Sequence, residues 1–141
     1  LVVNEGLVHV LNVALGATAK PAGYFLALFS GSTTPAANWT AASFAAVANE
    51  IVSQTEGYTG ATRPAWTPAT ATTGSIDNLA SAAQMTIATS GTLNVTGAAL
   101  LTSSQRGGTT GVLVSASAFA APRVFQAGDL YGLGYRLNAT V

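Results

Sequence analysis

Apolar positions divide the chain into a helical N-terminal part and a strand-rich remainder. In the first part, apolar side chains recur at helical spacing; they are Leu7, Val10, Leu11, Ala14 and Leu15. Asn4 is placed to cap the helix, and Glu5 lies near the positive end of the helix dipole. Gly16 suits the position after the C-terminal cap. The pattern therefore predicts a helix over Asn4–Leu15 with one apolar stripe.

The apolar stripe of this helix has two interpretations. In the first, the stripe packs on the chain's own core. In the second, the helix is an arm that docks on a neighbouring subunit. We therefore divide the chain into residues 1–20, a packed helix or a helical arm, and residues 21–141, a β-sandwich domain.

A buried strand and a second short helix are expected next. Residues Tyr24–Phe29 form a short, continuous apolar run between clusters of turn residues, which is typical of a buried strand. Thr40 is expected to cap a helix that continues to about Asn49. Trp39 before the cap and Phe44, four positions after it, are placed to form a hydrophobic staple.

From Gly57 onward, short runs of Thr, Val, Leu and aromatic residues alternate with clusters of turn residues. The candidate strands are Ala61–Thr67, Ser75–Leu79, Gln84–Thr89, Leu93–Thr102, Gly111–Phe119 and Leu130–Thr140. Thr67–Gly74 between the first two is expected to be an extended loop. Many short strands separated by regular turns predict a mainly β protein, an antiparallel β-sandwich or jelly roll. The two helices complete this fold class.

Charged residues are rare, and this limits the kinds of partner that the chain is expected to bind. The 141 residues include 5 Lys+Arg and 5 Asp+Glu, so the formal net charge is +0 and only 7% of residues are charged. Soluble domains average about 25%. So neutral a chain has no basic patch for nucleic acid, and it lacks the roughly 20-residue apolar run of a membrane helix. Near-zero net charge favours association of subunits.

Residues suited to catalysis are scattered. The chain has one histidine, His9, and no cysteine. A Ser-His-Asp triad would need His9, which no neighbouring motif supports. Asp77-Asn78 is interpreted as a turn. Glu50 and Glu56 are too loosely placed to predict an acid pair. We therefore expect no enzyme, no metal and no cofactor; a wall-degrading hydrolase using one of these glutamates is the third hypothesis.

Several short motifs occur in an order that resembles the order in one known class of proteins. The motifs are Asn4-Glu5-Gly6-Leu7, the strand Tyr24–Phe29, Trp39-Thr40 with Phe44, Glu50-Ile51, Gly57-Tyr58, Arg63-Pro64-Ala65-Trp66, Thr96-Gly97-Ala98-Ala99 and Gly128-Asp129-Leu130. This order resembles small structural proteins of tailed bacteriophages, of the capsid cement or decoration type and related head or tail appendages. The resemblance implies a virion protein present in many copies, with the major capsid protein and its own copies as partners. It assigns no catalytic or binding residue.

These observations lead to a hypothesis of a non-enzymatic virion structural protein that cements or decorates the capsid. The interface candidates are Leu7, His9, Leu11, Trp39, Arg63 and Trp66. The last three are either interface anchors or core residues, and Arg63-Pro64 indicates an edge strand. The alternative hypothesis is a receptor- or carbohydrate-binding module of a tail or fibre. Its sugar platform would use Trp39, Tyr58, Trp66 and Tyr135.

Overall fold

The computed structural model of the chain describes residues 1–139. Within that range the helices and strands are, in order, α1 (Asn4–Ala14), β1 (Tyr24–Phe29), α2 (Ala41–Val47), β2 (Gly57–Tyr58), β3 (Ala65–Trp66), β4 (Ser75–Asp77), β5 (Ala83–Ala88), β6 (Thr92–Leu101), β7 (Leu113–Gln126), β8 (Leu130–Leu133) and β9 (Arg136–Asn138). A single 3-10 turn at Leu79–Ser81 precedes β5. The predicted mainly β class with two short helices is confirmed.

The strands form antiparallel sheets. The largest has the order β3-β1-β6-β7, a second has the order β2-β5-β8, and β4 pairs with β9. β3 lies at the edge of the four-stranded sheet, which agrees with the expectation drawn from Arg63-Pro64. Side chains of the two larger sheets share one core, as in a sandwich. The jelly-roll connectivity stays a prediction.

The four-stranded sheet is covered on both faces because side chains alternate along its strands. Leu26 and Leu28 of β1 belong to a core shared with Met85 and other side chains of the second sheet. Ala27 and Phe29 project to the opposite face, into a core shared with α2. The resulting order of layers is helices, four-stranded sheet and three-stranded sheet. This double burial explains why the Tyr24–Phe29 run is continuously apolar.

Local sequence determines where α2 begins. The Thr40 side chain accepts a hydrogen bond from the Ser43 N–H at 3.3 Å, and the Ser43 hydroxyl accepts one from the Thr40 N–H at 3.1 Å. This is a capping box. The rings of Trp39 and Phe44 lie 6.4 Å apart, so the predicted staple is also present. The helix ends at Val47, before Asn49 turns the chain with a φ of 54°.

The predicted last strand, Leu130–Thr140, is instead two strands; Thr140 lies outside the described residues. Two side chains distant in sequence, one of them on β3, bind the backbone at the end of β8 and just before β9. Asn78 donates to the Leu133 carbonyl at 3.2 Å and accepts from the Tyr135 N–H at 2.7 Å. Trp66 donates to the Tyr135 carbonyl at 3.1 Å. These contacts replace ladder hydrogen bonds and break the strand.

Other strand boundaries also differ from the prediction. Ala61–Thr67 contributes only β3, because the backbone of Arg63 bonds to Ser104 and its side chain enters the core. Gly111–Phe119 is the first part of the longer β7, which pairs again with β6 after a bulge. β2 was not predicted. Thr67–Gly74 contains no strand, as expected.

A buried ion pair joins two loops beside the core. The Arg63 guanidinium donates to Glu50 through Nε at 2.6 Å and Nη2 at 2.8 Å, and through Nη1 to the Ser103 carbonyl at 3.0 Å. Glu50 also accepts from the Gly107 N–H at 2.8 Å. Both side chains are fully buried. The pair therefore links the segment after α2 to the β6–β7 connection.

A second arginine, Arg106, reinforces the same junction. Its guanidinium lies 3.5 Å from the ring centroid of Tyr58. It donates to the carbonyls of Ile51, Ser53, Tyr58 and Gly60. One side chain thus binds carbonyl groups before, within and after β2.

We expect Glu50→Gln to cost about 3–5 kcal/mol of unfolding free energy, because it leaves the buried Arg63 charge uncompensated. Urea denaturation measures this cost. Arg136→Gln is the matched control, since it breaks a half-exposed ion pair with Asp77 and should cost at most about 1 kcal/mol. Equal costs for the two variants would contradict the assigned role of the Glu50–Arg63 pair.

Two buried tyrosines predict loss of stability at high pH. Burial raises the pKa of both Tyr58 and Tyr135 from 10.0 to about 12. Because the folded-state pKa lies above the unfolded-state value, the stabilisation is complete below pH 10 and is lost as pH rises toward 12. The loss should be on the order of 1.4 kcal/mol per pH unit for each tyrosine.

The two phenylalanine variants separate these contributions. The Tyr58 hydroxyl has no partner among the described residues, so Tyr58→Phe should leave stability at pH 7 unchanged or higher. Tyr135→Phe removes a 2.8 Å hydrogen bond with Ser115 and should cost about 1 kcal/mol at that pH. Both should flatten the alkaline loss in pH-dependent urea titrations. Unchanged slopes in both variants would contradict the prediction.

Candidate assembly surface

The α1 helix contacts the four-stranded sheet through an unexpected face. Its buried residues are Gly6 and His9. The apolar stripe points away from the sheet, with Leu7 51%, Leu11 56% and Leu15 84% exposed. The interpretation that this stripe packs on the chain's own core is therefore wrong.

The close approach of the α1 backbone to β7 explains why the face with Gly6 and His9 is buried. A methyl group on Gly6 would overlap the carbonyl group of Val114 in β7. The absence of a side chain at this position lets the helix backbone lie directly against the strand. Val3, just before the helix, is fully buried, and its N–H donates to the Val114 carbonyl at 3.3 Å.

Glu5 fixes the helix with one carboxylate oxygen. Its Oε2 accepts from the Ala41 N–H at 2.8 Å and from the Leu113 N–H at 2.7 Å. Ala41 is the first residue of α2 and Leu113 the first of β7, so the carboxylate joins the starts of three elements. The predicted Asn4 cap is wrong: Val3 occupies the cap position and makes no side-chain cap bond. The Asn4 N–H instead donates to the Ala37 carbonyl at 2.8 Å.

His9 makes a further polar contact under the helix. Its Nε2 lies 3.0 Å from the Tyr24 hydroxyl, and the two rings meet edge to face at 5.8 Å. The histidine borders a cavity of about 440 Å³, which Asn12 and Thr18 also line. Together with Glu5 and Gly6, this contact holds α1 in one orientation on the sheet.

The interface candidates separate into two groups. Leu7 and Leu11 are exposed on α1. The other four are buried within the chain, namely His9, Trp39, Arg63 and Trp66. An interface role therefore stays a prediction for the two leucines, while the buried side chains make internal contacts.

The exposed side of α1 forms one apolar surface, which we call the α1 face. It consists of Leu7, Val8, Val10 and Leu11 of the helix and of Leu15 directly after it. None of these side chains is charged. Contiguous apolar patches of several hundred Å² on a monomer usually mark an interaction site. Val8 lies outside the predicted stripe of apolar residues at helical spacing. It is exposed because the helix buries its opposite side, at Gly6 and His9.

Glu50 and Glu56 bind different partners and do not form an acid pair. Glu50 is buried with Arg63, whereas Glu56 is exposed and accepts from the Thr89 hydroxyl at 2.7 Å and the Ser90 N–H at 2.9 Å. Hydrogen bonds from Ser90 and Thr89 hold the pKa of Glu56 below its ordinary value. Asp77 accepts from the Leu79 N–H at 3.0 Å, which agrees with the predicted turn.

Two further findings concern residues 1–139. No group of three or more His, Cys, Asp or Glu side chains in that range is arranged to hold a metal ion. Neither helix there is long and apolar enough to cross a membrane. Comparison with known proteins found no matching family model and no matching curated protein.

We expect Gly6→Ala to destabilise the protein by about 1–3 kcal/mol, because the added methyl group overlaps the Val114 carbonyl and must displace α1. Gly91→Ala is the matched control, since a methyl group there meets no atom within 4 Å. The control should be neutral or slightly more stable. Thermal unfolding of both variants tests the packing of α1; equal melting temperatures would contradict it.

Proposed function

We propose that this chain is a non-enzymatic structural subunit that works by packing against its own copies and a larger shell protein. The resemblance noted in the sequence specifies a virion cement or decoration protein on the major capsid protein. The observation that carries the proposal is the α1 face, an apolar surface presented by a helix whose other side is anchored.

The anchoring makes this surface suited to binding. Glu5 and His9 fix α1 through side-chain contacts, and Gly6 brings its backbone against β7. A surface that is already ordered loses little conformational freedom when a partner binds. Complete burial of one leucine stabilises a contact by about 1.5–3 kcal/mol. Leu7 and Leu11 are therefore the expected centre of the interface.

The charge distribution supports packing against neutral partners. All 5 acidic side chains accept hydrogen bonds within the chain; these residues are Glu5, Glu50, Glu56, Asp77 and Asp129. Ala, Ser and Thr, whose side chains are short and uncharged, are frequent among the exposed residues. Such side chains lose little rotamer entropy on burial. Copies of a surface with so few charges also approach without like-charge repulsion.

The carbohydrate-binding alternative receives less support. Its proposed platform needs exposed aromatic rings, yet the four aromatic candidates are at most 8% exposed: Trp39, Tyr58, Trp66 and Tyr135. The hydrolase hypothesis is not favoured either, because both of its glutamates hold backbone or side-chain groups of the same chain.

The double variant Leu7→Ser/Leu11→Ser tests the proposal. Both residues are more than half exposed, so the folded subunit should keep its melting temperature, with a free-energy change within about 0.5 kcal/mol. We expect its occupancy on purified particles to fall at least about tenfold, the effect of losing roughly 1.4 kcal/mol of contact. Quantitative gel densitometry of particles measures occupancy.

Leu130→Ser is the control, because Leu130 is 67% exposed and lies on β8, outside the α1 face. The wild-type chain and this control should both occur in a copy number comparable to the shell protein. Full occupancy of the double variant, or only a few wild-type copies per particle, would contradict the proposal.

A further inference from the structure

The cavity of about 440 Å³ beside α1, which we call the α1 cavity, adjoins the α1 face. Its lining includes Glu5, Val8, His9, Asn12, Thr18 and Val112. The first four are three or four positions apart and therefore lie on one side of the helix. Val8 belongs both to this lining and to the α1 face, so a partner that covers the face also covers the mouth of the cavity.

Two polar atoms of the α1 cavity have no hydrogen-bond partner among the described residues. The first is Oε1 of Glu5, since both backbone N–H groups bind Oε2. The second is Nδ1 of His9, a residue that is only 9% exposed and contacts Tyr24 through Nε2. Neither atom belongs to the enclosed polar atoms that lack a partner, which are the Tyr58 hydroxyl and Nε of Arg106. Both atoms therefore remain accessible to a group that enters the cavity.

The chemistry of these atoms favours a cationic donor. A carboxylate oxygen only accepts hydrogen bonds, and Nδ1 of His9 also accepts when Nε2 donates to the Tyr24 hydroxyl. Glu5 forms no ion pair within residues 1–139, and no basic residue lines the cavity there. Val8 and Val112 supply apolar walls, which suit the aliphatic stem of a long basic side chain.

We propose that the α1 cavity receives an arginine side chain of the protein that covers the α1 face. A guanidinium group has five N–H donors and accepts no hydrogen bond, so one group can serve several acceptors at once. The proposal rests on the proposed function and adds one charged anchor to an otherwise uncharged interface. Buried arginines of this kind are frequent among the residues that contribute most to binding.

The arginine is expected to come from the larger shell protein and not from a second copy of this chain. Each of the four arginines of the chain already has an internal contact. Arg63 and Arg136 form ion pairs, and Arg106 binds four carbonyl groups. The guanidinium of Arg123 lies 5.4 Å from the centroid of an aromatic ring.

A small probe tests the inference on the full chain without the partner. The probe is N-acetylarginine amide, and the matched control is N-acetylcitrulline amide, which has nearly the same shape and no charge. We expect the arginine probe to shift the amide NMR signals of Val8, His9 and Val112. Its Kd should be at least about tenfold lower than that of the control, because charge-assisted hydrogen bonds are stronger than neutral ones. Equal Kd values, or no shift at about 50 mM arginine probe, would overturn the inference.

Two variants at the rim of the cavity change its charge without touching Glu5. Asn12 is exposed, so Asn12→Lys and Asn12→Asp should both keep the melting temperature of the wild-type chain. We expect Asn12→Lys to weaken binding of the arginine probe at least about threefold and Asn12→Asp to strengthen it, since the added charges repel and attract a guanidinium. On purified particles, occupancy should fall for Asn12→Lys and stay complete for Asn12→Asp. Equal effects of the two variants would contradict the inference.

The outcomes also separate this inference from the proposed function. If Leu7→Ser/Leu11→Ser loses occupancy while Asn12→Lys keeps it, the α1 face is an interface but the arginine anchor is wrong. If the arginine probe binds selectively while the double variant keeps full occupancy, the proposed function fails and the cavity still binds a guanidinium. If light scattering shows self-association of the free subunit that Arg123→Gln and Asn12→Lys both abolish, a second copy supplies the arginine and the assignment to a shell protein is wrong.

Discussion

Close backbone approach at Gly6 and the polar contacts of Glu5 and His9, and not burial of apolar side chains, fix α1 on the sheet. Gly6 allows the helix to lie against the Val114 carbonyl, and Glu5 binds the first N–H groups of α2 and β7. The starts of α1, α2 and β7 therefore meet at this junction. This junction also explains the α1 face. Because Gly6 and His9 contact the sheet, the leucines and valines on the opposite side of the helix are exposed to solvent.

Charged side chains elsewhere in the chain likewise bind backbone groups. Glu5 binds two backbone N–H groups, and Arg106 binds four backbone carbonyls in the loops beside the core. These groups organise the connections between strands, where hydrogen-bond partners from the sheets are lacking. With 7% charged residues, of which Glu50 and Arg63 are fully buried, the chain has little charge on its surface.

Elements encoded by adjacent residues were predictable, and those decided by distant residues were not. The Tyr24–Phe29 strand and the Thr40 cap follow from local pattern and local hydrogen bonds. The break between β8 and β9 depends on Asn78 and Trp66, which lie 55 and 69 residues from the carbonyls that they bind. The buried face of α1 was not predicted for a related reason. Apolar periodicity predicts that the leucines are buried, whereas the close approach of the helix to β7 requires the glycine, Gly6, at the contact. The pairing of Glu50 with Arg63 likewise had no local signal.

Under the proposed function, the α1 face is buried when the subunit assembles. Hydroxyl-radical footprinting of the free subunit and of purified particles measures this directly, since oxidation of a side chain reports its exposure to water. We expect Leu7 and Leu11 to react in the free subunit and to become protected in the particle, while Leu130 stays reactive in both. Equal reactivity of Leu7 and Leu11 in the two states would contradict it.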